Sequence, residues 1–179
     1  MRLSEETLSS EVVYNGRIIT VKKDTVMLEN GQKAPRELIN HPGGVCVVPL
    51  TDNGEVIMVR QFRYAYKKAL LEVPAGKLNY GEDPFECGKR ELMEETGAVA
   101  ENYTYLGKVY PTPAYLDEVI HVYLAQGLSF GEQKLDEDEF LEVERYPLSD
   151  LVQMVMNNEI EDAKTQVAIL KTHVLLNGK

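Results

Sequence analysis

Tryptophan is absent from the chain, so any aromatic platform for a ligand has to come from its 10 tyrosines or 4 phenylalanines. Cysteine is nearly absent: Cys46 and Cys87 stand apart with no CxxC spacing. That argues against a zinc ribbon or a disulfide scaffold, and the two read as small buried apolar groups. Positive charge is also scarce. Nineteen Lys and Arg against 29 Asp and Glu leave a net charge of −10. No basic stripe remains to bind nucleic acid through its phosphates. An acidic chain that takes a small phosphate compound needs metal ions to offset the repulsion. No run approaches the roughly 18 apolar residues of a membrane span. The opening stretch MRLSEETLSSEVV lacks the apolar core of a signal peptide. The expectation is a reduced cytoplasmic setting, with neither membrane nor nucleic acid as partner.

What is present is an ordinary globular composition, 44% hydrophobic and 27% charged over 179 residues. This is enough for one compact domain with an appendage. Residues 1–40 form that appendage. VVYNGRIITVKK places Asn15-Gly16 between β-branched runs, a hairpin signal, and DTVMLENGQKAPRELI repeats it at Asn30-Gly31. The segment has few large apolar residues and is expected to pack on something else, such as a second copy of the chain.

Residues 41–179 read as the main domain. In GVCVVPLTDNGEVIMVRQFR two apolar runs flank Asp52-Asn53-Gly54, which predicts the strongest strand pair. ALLEVPAG reads as one strand ending at Pro74; TYLGKVYPTP, EVIHVYLAQGL and EFLEVERYP read as others. Two tail helices are expected near Ser149–Asn157 and Ala163–Leu176, the second with Val167, Leu170 and Val174 on one face. The pattern suggests α/β in the α+β sense or a mixed sheet sandwiched by helices, with an antiparallel β extension at the N-terminus.

One stretch does not fit a purely structural role. In PAGKLNYGEDPFECGKRELMEETGA, Asp83 before Pro84 is an N-cap signal and Gly97 suits a left-handed C-cap, so a helix over Pro84–Thr96 is expected. On that helix Glu91, Glu94 and Glu95 project towards one side, where like charges repel unless something compensates. Arg90 compensates in part. Magnesium does so more fully, because it prefers hard oxygen ligands. Phe85, Gly88, Leu92 and Thr96 form the other face. Gly88 costs about 1 kcal/mol against Ala unless the helix must approach a sheet closely. A solvated acidic face is the bland alternative.

The wider spacing weighs against it. Gly76, Glu82, Arg90, Glu91, Leu92, Glu94, Glu95 and Gly97 follow the pattern G-x5-E-x7-R-E-U-x-E-E-x-G. With each fixed residue type at roughly 5–7% of positions, a chance match at one start is on the order of one in a billion. This matches the signature of the Nudix hydrolases, except that Ala98 replaces the usual bulky aliphatic at the end. The resemblance implies an α/β/α sandwich around a mixed sheet. It also implies hydrolysis of a nucleoside diphosphate linked to another group, with magnesium, manganese or another divalent ion. By the same resemblance Glu91, Glu94 and Glu95 serve the metal site, Glu91 and Glu95 most directly as ligands, with the Ala75 carbonyl, and Glu94 counted among the catalytic residues. Gly76, Glu82, Arg90 and Gly97 would be structural.

From about Tyr14 to Leu170 the chain resembles the ADP-ribose pyrophosphatase branch of that family. Pro113, sixteen residues past Gly97, marks the branch; YPTPAYLDEVIHVYLA, HPGGVCVVPL, MVRQFR, LEVPAGKL and LDEDEFLEV resemble its loops and strands. The implied reaction is cleavage of ADP-ribose to AMP and ribose 5-phosphate. Arg63 is implied at the diphosphate or terminal ribose, with a surface salt bridge as its alternative. Arg36 is implied at the substrate from a partner subunit, although a surface salt bridge accounts for it better, and Glu118 is implied at the ribose or base. In the second acidic run, Asp136 to Glu139, a glutamate is implied as general base, with Glu139 first and Glu137 next. The branch also implies a homodimer built through the N-terminal hairpins.

Three histidines, His41, His121 and His173, are scattered and read as structural or surface groups. Tyr14, Tyr64 and Tyr115 could stack on adenine, although core or surface packing accounts for each better. Two competing functions remain: a Nudix enzyme for another sugar nucleotide such as GDP-mannose or for a dinucleotide, and a module that binds ADP-ribose without cleaving it.

Overall fold

Asn15-Gly16 and Asn30-Gly31 both mark chain reversals. In the computed structural model, which describes residues 3–135 and 139–178, β1 (Glu6–Asn15), β2 (Thr20–Met27) and β3 (Lys33–Asn40) form an antiparallel sheet in the order β1-β2-β3. The first reversal is closed by the Gly16 amide donating to the Ile19 carbonyl at 2.9 Å. At the second, Gly31 has φ +80°, which only glycine adopts without steric cost. Every residue of β1 is exposed, Val12, Val13 and Tyr14 included.

This sheet belongs to a unit made of Met1–Gly43 and Tyr110–Val119. The second segment is stitched to the end of β3. Ile39 donates to the Tyr115 carbonyl at 2.7 Å, and the Asp117 amide returns a bond to the Ile39 carbonyl at 3.1 Å. The Asp117 carboxylate accepts from the Asn40 side chain at 2.6 Å and from the His41 amide at 2.7 Å.

The other unit, Gly44–Val109 with Ile120–Lys179, contains β4 (Gly44–Pro49), β5 (Glu55–Arg63), β6 (Lys68–Glu72), β7 (Ala75–Lys77), α1 (Pro84–Thr96), β8 (Ala98–Val109), β9 (Ile120–Phe130), β10 (Leu141–Pro147), α2 (Leu148–Met156) and α3 (Ala163–Asn177). One sheet runs β7-β4-β9-β8 and a second β10-β5-β6. β4 and β9 are parallel while β8 and β7 pair antiparallel, so the larger sheet is mixed.

The expected pairing of the two apolar runs around Asp52-Asn53-Gly54 is not what forms. The turn is real, with the Gly54 amide donating to the Thr51 carbonyl at 3.0 Å, but β4 and β5 share only an isolated bridge between Leu50 and Val56 and enter different sheets. A strand has two edges. Those of β4 are taken by β7 and β9, and those of β5 by β10 and β6. ALLEVPAG also divides: β6 ends at Glu72 and joins β5, and β7 starts at Ala75 and joins β4. Pro74, which has no amide to donate, lies in the break, and its carbonyl accepts from the Val47 amide at 2.9 Å.

Side chains alternate across β4. Cys46 and Val48 enter a core with Leu151, Val155, Ala168 and Ile169 from α2 and α3, whereas Val47 packs with Leu92 of α1, Ile57, Ala98 and Ala125. Helices therefore cover both faces of the mixed sheet. Gly88 explains itself here: a Cβ on it would lie 3.2 Å from Val45 and 3.3 Å from Val47, so α1 sits as close to β4 as a glycine permits. The buried face of α3 differs from the expected one. Thr165, Ala168, Ile169 and Thr172 are buried, Val167 and Leu170 only partly so, and Val174 is 64% exposed. Among the described residues no helix is long and apolar enough to cross a membrane.

Candidate active site

The start and end of α1 are fixed by their caps. The Asp83 carboxylate accepts from the amides of Phe85 at 2.8 Å and Glu86 at 3.4 Å, and Pro84 occupies the first turn. At the other end Gly97 takes φ +70° and its amide donates to the Met93 carbonyl at 2.9 Å. This phase of the helix turns Cys87, Gly88, Glu91, Leu92 and Glu95 inwards. Two of the five inward side chains are thus carboxylates.

Arg90 organises the acids around it. Its Nε and Nη2 donate to the Glu82 carboxylate at 3.0 and 3.2 Å, and Nη1 donates to Glu91 at 2.7 Å and to Glu94 at 2.9 Å. Glu82 also accepts the Asn79 amide at 2.8 Å, which ties the loop to the helix. The hydrogen bond from Arg90 holds Glu82 below the usual carboxylate range.

Glu95 has no such counter-charge. It is 2% exposed, forms no ion pair among the described residues, and its carboxylate accepts only the Ala75 amide at 3.0 Å. Burial pushes it up to about 8, and the charges of Glu91 and Glu139 add to the effect. Burial likewise lifts Glu91 to about 7 despite Arg90 beside it, with Glu94 and Glu139 again adding to the rise. Gly76 makes room for this pair: a Cβ there would overlap the Glu91 carboxylate.

Two buried, acceptor-only carboxylates driven towards protonation suit a hard divalent cation. Both side chains offer carboxylate oxygens, the ligand type that hard divalent ions prefer. Among the described residues no three His, Cys, Asp or Glu side chains form a closed metal cage. Magnesium does not call for one, since it is usually held by one or two carboxylates together with waters and substrate phosphates.

Glu139, the last residue of the second acidic run, approaches the same place. The charge of Glu139 acts on both Glu91 and Glu95. Glu137 lies outside the described residues. The segment leading there is fastened to the end of α1: the Gly131 amide donates to Gly97 at 2.8 Å, the Lys134 amide to Glu94 at 3.0 Å, and the Gln133 side chain to the Glu95 carbonyl at 2.5 Å. The sequence gives no signal for this fastening, because two of its three bonds are backbone to backbone.

Arg63 makes a salt bridge, and to a buried partner. It grips Glu72, 1% exposed, with Nε at 2.6 Å and Nη2 at 2.7 Å, and Lys164 bonds the same carboxylate. Its charge is felt at Glu95. Neither Glu72 nor Lys164 stood out in the sequence. An acid inside the apolar run LLEVP was the available clue, since such a residue has to be paired.

Arg36, Pro113 and Glu118 belong to the unit containing the N-terminal sheet. Arg36 is paired with Glu5 on an exposed surface. Glu118 lies 3.4 Å from His41 Nδ1. That nitrogen also accepts the Gly43 amide at 3.1 Å. His121 bonds the Tyr105 hydroxyl and His173 bonds Asn177. Tyr14, Tyr64 and Tyr115 are 57%, 78% and 50% exposed, so none is a core residue. Cys46 and Cys87 are buried free thiols, as expected.

The chain is similar to known proteins along nearly its whole length. Residues 40–167 match the model of the NUDIX domain, and residues 5–39 that of the nucleoside diphosphate sugar hydrolase N-terminal domain. The chain is 44% identical to an ADP-ribose pyrophosphatase of Bacillus subtilis (strain 168), covering 93% of this chain and 91% of that one. It is 40% identical to a methanol dehydrogenase activator of Bacillus methanolicus, over 92% and 90%. A crystal structure of an ADP compounds hydrolase superposes with a TM-score of 0.86 at 26% identity, covering 98% of this chain and 95% of that one.

Proposed function

This chain belongs to the Nudix family, and we propose that it hydrolyses the pyrophosphate bond of ADP-ribose, giving AMP and ribose 5-phosphate. The observation that carries this reading is the buried pair Glu91 and Glu95, lodged against Gly76 and Ala75, with Glu95 in no ion pair among the described residues. A chain with a net charge of −10 that receives a diphosphate needs a cation there.

Glu91, Glu95 and the Ala75 carbonyl hold the divalent ion, which we take to be magnesium. When bound, the ion neutralises phosphate charge and lowers the barrier to attack by water. Glu139 takes the proton from the attacking water, with Glu137 as the second choice. It suits the role because its charge is felt at both Glu91 and Glu95, the carboxylates assigned to the ion. Glu94 completes the acidic set from its bond to Arg90. Glu82, Arg90, Gly76 and Gly97 keep the loop and helix in register.

Arg63 binds the diphosphate. Pro113 shapes the substrate loop, Glu118 reaches the ribose or base, and Arg36 acts from the partner subunit of a homodimer. The N-terminal unit of residues 1–40 supports the dimer, because β1 exposes Val12, Val13 and Tyr14 along a strand with no buried residue. Two buried free thiols suit a reducing cytoplasm.

The test is release of the nucleoside monophosphate from ADP-ribose, GDP-mannose, NADH and 8-oxo-dGTP, with and without magnesium. Magnesium-dependent AMP from ADP-ribose well above the rest is expected. Preference for another member would keep the carboxylate chemistry and overturn the substrate. Tight ADP-ribose binding without turnover would make the chain a binding module. Solution scattering that finds an active monomer would sink the dimer.

A further inference from the structure

Arg63, Glu72 and Lys164 form a chain of charges centred on buried Glu72, the Arg63 charge is felt at Glu95, and no step described so far uses Glu72 or Lys164. Glu72 closes β6 and is 1% exposed. A carboxylate so placed is stable only with full pairing. It receives the Arg63 fork on both oxygens, at 2.6 and 2.7 Å, and the Lys164 ammonium as well. Lys164 is anchored in turn by Asp162 at 2.9 Å. Asp162 is the N-cap of α3, accepting from the Thr165 amide at 2.9 Å and its hydroxyl at 2.6 Å. The Thr165 hydroxyl accepts the Val73 amide at 3.0 Å, so the residue after Glu72 is pinned to the same helix end.

The arrangement has a chemical logic. Arg63 spends Nε and Nη2 on Glu72, and its Nη1 has no hydrogen-bond partner among the described residues. Its side chain is 39% exposed, against 1% for that of Glu72, so the guanidinium is the accessible end of the chain. If Arg63 were the only counter-charge of Glu72, a diphosphate would have to compete with a buried carboxylate for it. Lys164 removes that competition, because Glu72 stays paired when Arg63 shares itself with an anion.

We propose that Glu72 and Lys164 are positioning residues for substrate binding: they fix the Arg63 guanidinium in one orientation and leave its Nη1 for the diphosphate. This rests on the assignment of Arg63 to the diphosphate. A pre-oriented fork binds phosphate oxygens without losing its rotamer freedom on binding. Its effect therefore falls on KM more than on kcat.

The experiment is a double-mutant cycle in steady-state kinetics on ADP-ribose with magnesium, using the full chain. Glu72→Gln, Arg63→Ala and the double variant are measured, with melting temperatures alongside. Arg63→Ala and Glu72→Gln are each expected to raise KM by roughly tenfold or more while kcat moves less. In the Arg63→Ala background, Glu72→Gln is expected to change KM by less than about twofold, because its route of action is gone. Lys164→Met provides a second cycle if Glu72→Gln does not fold, with the same loss of effect beside Arg63→Ala. An equal rise in KM with and without Arg63 would overturn the positioning role and leave Arg63 on the diphosphate. An Arg63→Ala enzyme with unchanged KM would overturn the Arg63 assignment, and the positioning role with it.

Discussion

The Glu95 carboxylate accepts the Ala75 amide at 3.0 Å, so a residue of α1 and the first residue of β7 meet where both are assigned to one cation. Gln at position 95 keeps an oxygen to accept that amide but loses the negative charge. Glu95→Gln is therefore expected to fold normally and to lose at least roughly a hundredfold in kcat. The magnesium-induced rise in melting temperature should vanish with it, since a ligand stabilises only the fold that binds it. Scanning fluorimetry with and without magnesium, beside turnover, checks both. A variant with full activity would remove Glu95 from the metal site.

Gly76 offers a test that changes no charge. A Cβ there would overlap the Glu91 carboxylate, which Arg90 holds at 2.7 Å. Gly76→Ala must turn Glu91 away or push β7 off β4. Overpacking of this kind costs about 1–3 kcal/mol. Turnover at a fixed magnesium concentration is expected to fall about tenfold or more, with part of the loss recovered at high magnesium, since a misplaced ligand weakens affinity first. Normal activity would mean that Glu91 is not a ligand.

Gly97 carries two constraints at once. Its φ of +70° is strained for any other L residue, and a Cβ would come within 2.5 Å of the Gly131 carbonyl. The left-handed conformation alone costs about 1 kcal/mol or more. Gly97→Ala should lower the melting temperature and also loosen the segment that leads to Glu139, which bonds Gly97, Glu94 and Glu95. The expected signature is a fall in kcat larger than the change in KM. Limited proteolysis around residues 131–134 should become faster. A stability loss with unchanged kcat would separate this fastening from catalysis.

The features read correctly from the sequence are those set by neighbours in the chain. Asp83, Pro84 and Gly97 specify where α1 starts and stops within a few residues, and the phase of the helix then follows for Glu91 and Glu95. Gly88 could be read as a close approach because no other property of a helix interior calls for a glycine. Strand pairing could not be read this way. β4 is buried along its whole length and pairs with β9, more than seventy residues away, and nothing local distinguishes that edge from the one facing β5. The buried face of α3 was misjudged for a chemical reason. Thr165 scores as polar, yet its hydroxyl is fully engaged by Asp162 and Val73 and is buried without penalty. Glu72 and Lys164 are ninety-two positions apart, and only the fold shows that they answer each other.

The same contact has a pH signature. Burial by itself would raise Glu72, but the hydrogen bond from Arg63 and the Lys164 charge outweigh it and hold the carboxyl below its ordinary 4.5. A carboxyl lowered on folding contributes stability that is fully present above its unfolded value. The contribution is lost as pH falls through the lower folded value. The wild-type protein without metal should therefore lose stability on acidification below about pH 4.5, with Glu72 among the groups responsible. Protonating it leaves Arg63 and Lys164 facing each other across a neutral acid. Glu72→Gln cannot take up that proton, so its melting temperature should start lower near neutrality and fall less steeply between about pH 5 and 3. Urea midpoints across that range, for both proteins in the absence of magnesium, measure the difference in slope directly. Parallel curves would show that Glu72 is no more ionised in the folded chain than in the unfolded one, and that the Arg63–Glu72–Lys164 chain does not hold its charge.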